Sequence, residues 1–260
     1  MIPILCALLF GANVEGERAG ELRVVPVDAT AEPDEVRTLI VFPKEGDTTN
    51  ESVPTLQLRL EGYALGVISD FPRQREIRNR GQGQTLQILI DDRAPIEIND
   101  ALYDTADREE IDYDQTIRIK CPYKLSPGMH IIRAYPQRSF DESLKGDGTF
   151  ASSYFYVSKG KGVPDLSRPY LTYNMPRGEY AYDKPILLDF LIANTQLSKD
   201  GYKVRLTIDK NKRMLTQWIP YYIYGLGKGT HTIQLELLDP TDKVIPGLFP
   251  GDGKQTIRVN

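Results

Sequence analysis

The chain has two histidines, His130 and His231, and any acid–base or metal chemistry that needs an imidazole must use one of them. Each sits in the same phrase. Leu125-Ser-Pro-Gly-Met-His-Ile-Ile and Leu226-Gly-Lys-Gly-Thr-His-Thr-Ile both read Leu-x-x-Gly-x-His-x-Ile, 101 positions apart. A histidine repeated with its surroundings marks duplicated architecture, and equivalent places in tandem repeats lie far apart, which argues against one shared metal site. In the run 230–238, His231 has the parity of Ile233, Leu235 and Leu237, and His130 has that of Ile132 and Ala134. Both therefore head inward-facing rows and read as structural corner residues that bond to nearby backbone.

The remaining chemistry-bearing residues point the same way. Cys121 has Ile119 and Pro122 beside it and no nearby base, which suits a buried structural thiol. Asp91, Asp189 and Asp209 are the acids set in apolar surroundings, each at a strand end or flanked by strand residues. The sequence has no Gly-x-Ser-x-Gly elbow, phosphate loop, His-Glu-x-x-His or Cys-x-x-Cys. The acidic stretch Asp-Thr-Ala-Asp-Arg-Glu-Glu-Ile-Asp-Tyr-Asp, 104–114, could supply oxygen ligands to calcium. It lacks EF-hand spacing and carries Arg108 in its middle, so a solvated loop or short helix is preferred, with no cofactor expected and calcium as the alternative. The turns Gly146-Asp-Gly and Gly251-Asp-Gly read as turns. The expectation is a protein that is not an enzyme but a binding, adhesion or scaffolding protein, with a hydrolase of unrecognised site as the weaker alternative.

Two clusters suit binding. Trp218-Ile-Pro-Tyr-Tyr-Ile-Tyr offers Trp218, Tyr221, Tyr222 and Tyr224 as a stacking platform for a glycan, or alternatively a core tryptophan with tyrosines filling edges. Arg133-Ala-Tyr-Pro-Gln-Arg-Ser-Phe-Asp-Glu-Ser offers Arg133, Tyr135 and Arg138 for recognition, or an arginine–carboxylate lock on its own loop. The expected partner is an unidentified protein or glycan.

The elements that must position these residues are short. Alternating or apolar runs at 38–42, 55–60, 85–90, 116–119, 129–135, 152–157, 186–191, 203–208, 214–219, 230–238 and 256–259 predict strands, and no long window keeps a helical period. The repeat extends outward. Leu86-Gln-Ile-Leu-Ile-Asp parallels Val204-Arg-Leu-Thr-Ile-Asp, and Pro122-Tyr parallels Pro220-Tyr, with about 17 extra residues in the first unit. This predicts an all-β chain of two tandem antiparallel immunoglobulin-like β-sandwiches, 36–160 with the acidic insert and 165–260, joined at Ser-Lys-Gly-Lys-Gly-Val-Pro. The pattern resembles tandem bacterial immunoglobulin-like domains, in which such a Gly-x-His-x-Ile phrase opens the penultimate strand. That resemblance implies an envelope or surface location and no particular activity.

Composition sets outer limits. With 260 residues, 40% hydrophobic and 26% charged, the chain is globular rather than disordered. A net charge of −4 without a basic patch sets nucleic acid aside. Ile2 to Phe10 is apolar, too short to span a bilayer, and followed by small residues, so 1–16 reads as a signal peptide without the usual basic start. Leu5 before Cys6 argues against a lipid anchor, and 17–35 reads as a linker. The expected location is secreted, periplasmic or cell-surface, with no transmembrane segment.

Overall fold

The computed structural model describes residues 21–77, 81–99, 114–250 and 252–260. The expected signal peptide and the acidic insert at 104–113 lie outside the described residues.

The chain forms two β-sandwiches with the same strand plan. In the first, β2 (Arg37–Phe42), β4 (Thr55–Glu61) and β7 (Gln115–Lys120) make one sheet in the order β2-β4-β7. The facing sheet contains β3 (Thr48–Thr49), β5 (Thr85–Ile90), β6 (Ile96–Ile98), β8 (Gly128–Gln137) and β9 (Ala151–Val157), in the order β3-β9-β8-β5-β6. A single helical turn, α1 (Arg73–Glu76), lies between β4 and β5.

The second sandwich repeats this strand for strand. Its elements are β10 (Tyr170–Met175), β11 (Gly178–Tyr180), β12 (Ile186–Ala193), β13 (Lys203–Ile208), β14 (Asn211–Leu215), β15 (Tyr221–Tyr224), β16 (Gly229–Leu238) and β17 (Lys254–Val259). Order β10-β12-β15 matches β2-β4-β7, and β11-β17-β16-β13-β14 matches β3-β9-β8-β5-β6. Even the two short parallel pairs, β3 with β9 and β11 with β17, correspond.

One strand has no counterpart. Residues 23–26, expected within a linker, form β1 (Arg23–Pro26), which pairs antiparallel with β15 and extends the second sandwich's sheet to β1-β15-β12-β10. The Val24–Val25 pair gives this segment the residues to cover an edge that would otherwise leave backbone groups unpaired. In place of the strand expected at 214–219, β14 runs over 211–215: it starts after the tight turn at Asp209, in the left-handed region at φ 53°, and ends near the start of its partner β13, with Leu215 opposite Val204.

Alternation fills each core. Leu56, Leu58 and Leu60 of β4 pack against Ile88, Ile132 and Phe155 in the first sandwich. Val204, Leu206 and Ile208 of β13 pack against Ile233, Leu235 and Leu237 of β16 in the second. Each such side chain contributes roughly 1.5–3 kcal/mol by leaving water. Cys121 is buried in the first core as a free thiol, and burial raises its pKa.

Candidate functional site

The two histidines occupy one structural motif built twice. β5 and β13 are each followed by an aspartate in the left-handed region, Asp91 at φ 57° and Asp209 at φ 53°, a conformation that Asp tolerates better than most residues. There the Asp91 carboxylate accepts the Ile131 backbone N–H (2.9 Å) and the His130 ring Nδ1 lies 2.7 Å away. His130 Nε2 lies 2.8 Å from the Ser126 carbonyl. The second copy has the Thr232 N–H on Asp209 (2.9 Å), His231 Nδ1 to Asp209 (2.8 Å) and Nε2 to the Gly227 carbonyl (2.8 Å). The repeated glycine serves the same turn, with Gly128 at φ 136° and Gly229 at φ 135°, which side-chain-bearing residues rarely adopt.

A backbone carbonyl and a carboxylate only accept hydrogen bonds, so an imidazole held between them donates from both nitrogens and carries a positive charge. Burial disfavours that charge, but the aspartate and the carbonyl outweigh it, and both histidines have raised pKa values. For Asp209, burial likewise works against ionisation, yet His231 and the Thr232 amide hold its carboxyl below the ordinary value. Each imidazole is thus consumed in an ion pair that ties the end of one central strand to the start of its neighbour. The two copies differ in setting. The His130 side chain is 4% exposed and that of His231 is 15% exposed, and the second sandwich covers the outer face of the strand that carries His130.

That cover is a polar seam. Along β8, His130, Ile132 and Ala134 face the first core, while Arg133, Tyr135 and Gln137 point outward and are nonetheless buried. They meet the outer face of the four-stranded sheet of the second sandwich. Arg133 donates to the Thr172 hydroxyl (3.1 Å) and to the Asp91 carbonyl (2.6 Å). Tyr135 donates its hydroxyl to Asn174 Oδ1 (3.0 Å), and Gln137 Nε2 donates to the same oxygen (2.7 Å). The Asn174 amide donates to the Asp141 carbonyl (2.9 Å) and to Asp189 (2.7 Å).

Asp189 is fully buried and also accepts the Ser143 backbone N–H (3.0 Å), the Ser143 hydroxyl and the Lys145 ammonium. Apolar contacts flank this network. Leu89 and Tyr135 pack on Leu191, and Ile77 and Phe140 pack on Leu187 and Tyr222. The four layers therefore stack in sequence, with β15, β12 and β10 buried on both faces.

The lead-in fastens the same seam. After β1 pairs with the second sandwich, Arg73 of α1 donates to the Thr30 hydroxyl (2.7 Å), the Asp28 carbonyl and Glu142. Arg138 donates to the Ala31 carbonyl (2.7 Å) and lies 3.9 Å from Glu32 and 4.0 Å from Glu142. Residues 23–32 thereby bond to both sandwiches.

These placements revise the expected binding residues. Arg133, Tyr135 and Arg138 lie inside the seam and the lead-in clamp, not on an open recognition loop. The aromatic run does not assemble an exposed platform. Tyr221 packs in the second core, and Tyr222 and Tyr224 line the seam with their rings edge to face at 75°. Tyr222 donates its hydroxyl to Glu76 across the seam (2.7 Å). Trp218 is half-buried against both Leu191 and Tyr135, and its indole N–H donates to the Phe190 carbonyl (2.8 Å). Alternation separates these side chains: neighbours along β15 point to opposite faces, so they cannot share one plane.

Among the described residues no group of three or more His, Cys, Asp or Glu is placed to hold a metal ion, and no helix is long and apolar enough to cross a membrane.

No protein-family model and no curated protein matches the chain. Solved structures with a similar fold include the fibronectin(III)-like modules of CbhA from Clostridium thermocellum, 12% identical with a TM-score of 0.27, covering 85% of this chain and 92% of that one. Dimeric latent PorU from Porphyromonas gingivalis is 15% identical with a TM-score of 0.29, covering 87% of this chain and 20% of that one. SGBP-B of a Bacteroides ovatus mixed-linkage glucan utilization locus is 12% identical with a TM-score of 0.19, covering 92% and 47%. At these scores the likenesses carry no argument beyond the all-β fold that the strands already display.

Proposed function

We propose that this chain is a non-catalytic binding and scaffolding module, secreted or exposed at the cell envelope, whose two immunoglobulin-like sandwiches work as one rigid piece. The buried network around Asp189 carries this reading. A tandem pair on a loose linker keeps its outer sheet faces solvated and alternating, whereas β10 is buried at every position and β12 at all but its last. A carboxylate taken fully out of water holds its place only while its donors hold theirs, which favours a single arrangement of the two bodies. The histidines support the non-catalytic part, since both ring nitrogens of each are engaged in the corners. The extracellular part rests on the apolar N-terminal run and on the resemblance of the repeat.

Small-angle scattering of the full chain tests the rigid unit. The expected profile matches the stacked layers and does not change between low and high salt. A profile that needs a mixture of separated sandwiches overturns the rigid unit, and turnover of an ester or glycoside by purified protein overturns the non-catalytic reading.

A further inference from the structure

A cleft of about 230 Å³ opens where the two sandwiches meet, beside the first histidine corner. Its walls include Asp92 and Arg93 after β5, Arg133 of β8, Arg177 after β10, and Asp252 and Lys254 before and on β17. Arg133 is 1% exposed, and its Nε–H has no acceptor among the described residues. That guanidinium is packed against Phe249 and bonded to Thr172 and the Asp91 carbonyl, so it touches no ligand in the cleft but puts a fixed positive charge in its wall.

The charges around it do not cancel. Asp91, which also lines the cleft, is taken by His130 and the Ile131 amide, and Asp252 lies 3.7 Å from Arg133. That leaves Arg93, Arg177 and Lys254 against Asp92. Arg177 is oriented by donating to the carbonyls of Asn174 (2.8 Å) and Tyr173 (3.0 Å).

We propose that this cleft binds a small hydroxylated carboxylate of the uronic-acid type, through Arg177, Arg93 and Lys254, with the buried charge of Arg133 behind them. The cationic groups of Arg93, Arg177 and Lys254 attract a carboxylate by charge, and polar walls favour a ligand rich in hydroxyls over an apolar one. The carboxylates of Asp92 and Asp252 can accept sugar hydroxyls, and they repel a doubly charged phosphate. The space suits one sugar ring rather than a long chain, so the acid is a terminal unit or a free monosaccharide. This goes beyond the scaffolding reading and does not depend on it, because rigidity and lack of turnover are read by separate measurements.

The test is calorimetric titration of the full chain with glucuronate and galacturonate, with glucose and inorganic phosphate as comparison arms. The expected result is saturable binding of at least one uronate, no binding of glucose, and weaker binding of phosphate. Lys254→Gln, on an exposed side chain, and Arg177→Gln should each weaken uronate binding by about tenfold or more, the scale of a lost charged hydrogen bond. Binding of glucose equal to that of the uronates, a preference for phosphate, or no saturation by either uronate overturns the proposal. So does unchanged uronate affinity in a folded Lys254→Gln protein.

Discussion

Asp189→Ala is the most informative single substitution. Asp189 lies on β12, on the face directed away from its own core, where a lone sandwich would leave it in water. In the seam it is 0% exposed and collects the Ser143 amide and hydroxyl, the Asn174 amide and the Lys145 ammonium. Removing it takes the acceptor from a cation whose side chain is only 12% exposed, together with three buried neutral donors. Breaking a buried pair from one side costs about 3–5 kcal/mol. For a chain of this length that lowers the melting temperature by roughly 2–4 °C per kcal/mol, so a fall of about 6–20 °C is expected.

Lys145→Met should cost less, because Asp189 keeps three of its donors, and the double variant should recover part of the loss because the two groups are coupled. Urea unfolding at neutral pH reads all three. A cost for Asp189→Ala within about 0.5 kcal/mol, the scale of a surface change, would refute the buried seam.

Other consequences follow from the corners, the turns and the tryptophan. Because the folded pKa values of His130 and His231 are raised, their contribution to stability is complete below the unfolded value of about 6.5 and is lost as pH rises through the folded values. The Asp209 carboxyl, lowered in the folded state, contributes above its ordinary value and loses that contribution as pH falls through the folded one. The urea midpoint should therefore decline as pH rises above about 6.5, and replacing both histidines by Gln should flatten that decline; a wild-type midpoint rising steadily there would contradict the ion-pair assignment.

Gly253→Ala should be more damaging than Gly148→Ala in thermal unfolding. Both have φ near 80°, but a Cβ at Gly253 would sit 2.2 Å from the Leu235 carbonyl oxygen, whereas at Gly148 the nearest atom is 3.5 Å away. Trp218→Phe should lose about 0.5–1.5 kcal/mol with the hydrogen bond to Phe190, and neutral oligosaccharides should leave the emission of Trp218 unchanged. Saturable quenching by such a sugar would restore the aromatic-platform reading.

The duplicated fold was legible because strand period and turn chemistry are local. Val204, Leu206 and Ile208 alternate with Lys203, Arg205 and Thr207, and the shared phrase around His130 and His231 marks the same strand start twice. Two of the strands that escaped have surroundings that are not local. β10 and β15 carry tyrosines on both faces because one face fills a core and the other fills the seam, which erases alternation and suggests an aromatic binding cluster. β1 is too short to be recognised alone and exists because β15 offers it an edge.

The same cause hid the working roles of the acids. Asp91 and Asp209 were visible as strand-end carboxylates, yet only the left-handed turn brings each onto its histidine, 39 and 22 positions away. Arg133, Tyr135 and Gln137 look like an outward row of a surface strand, and nothing in their spacing shows that a second sandwich lies over them. Cleft residues such as Arg177 and Lys254 meet Arg93 only through that packing.

The central claim is that two duplicated sandwiches have become one body. Differential scanning calorimetry of the full chain tests it most directly. The account predicts a single cooperative transition whose calorimetric and van't Hoff enthalpies agree, shifted as a whole by Asp189→Ala. Two resolved transitions in the unmodified chain, with Asp189→Ala leaving both in place, would contradict it.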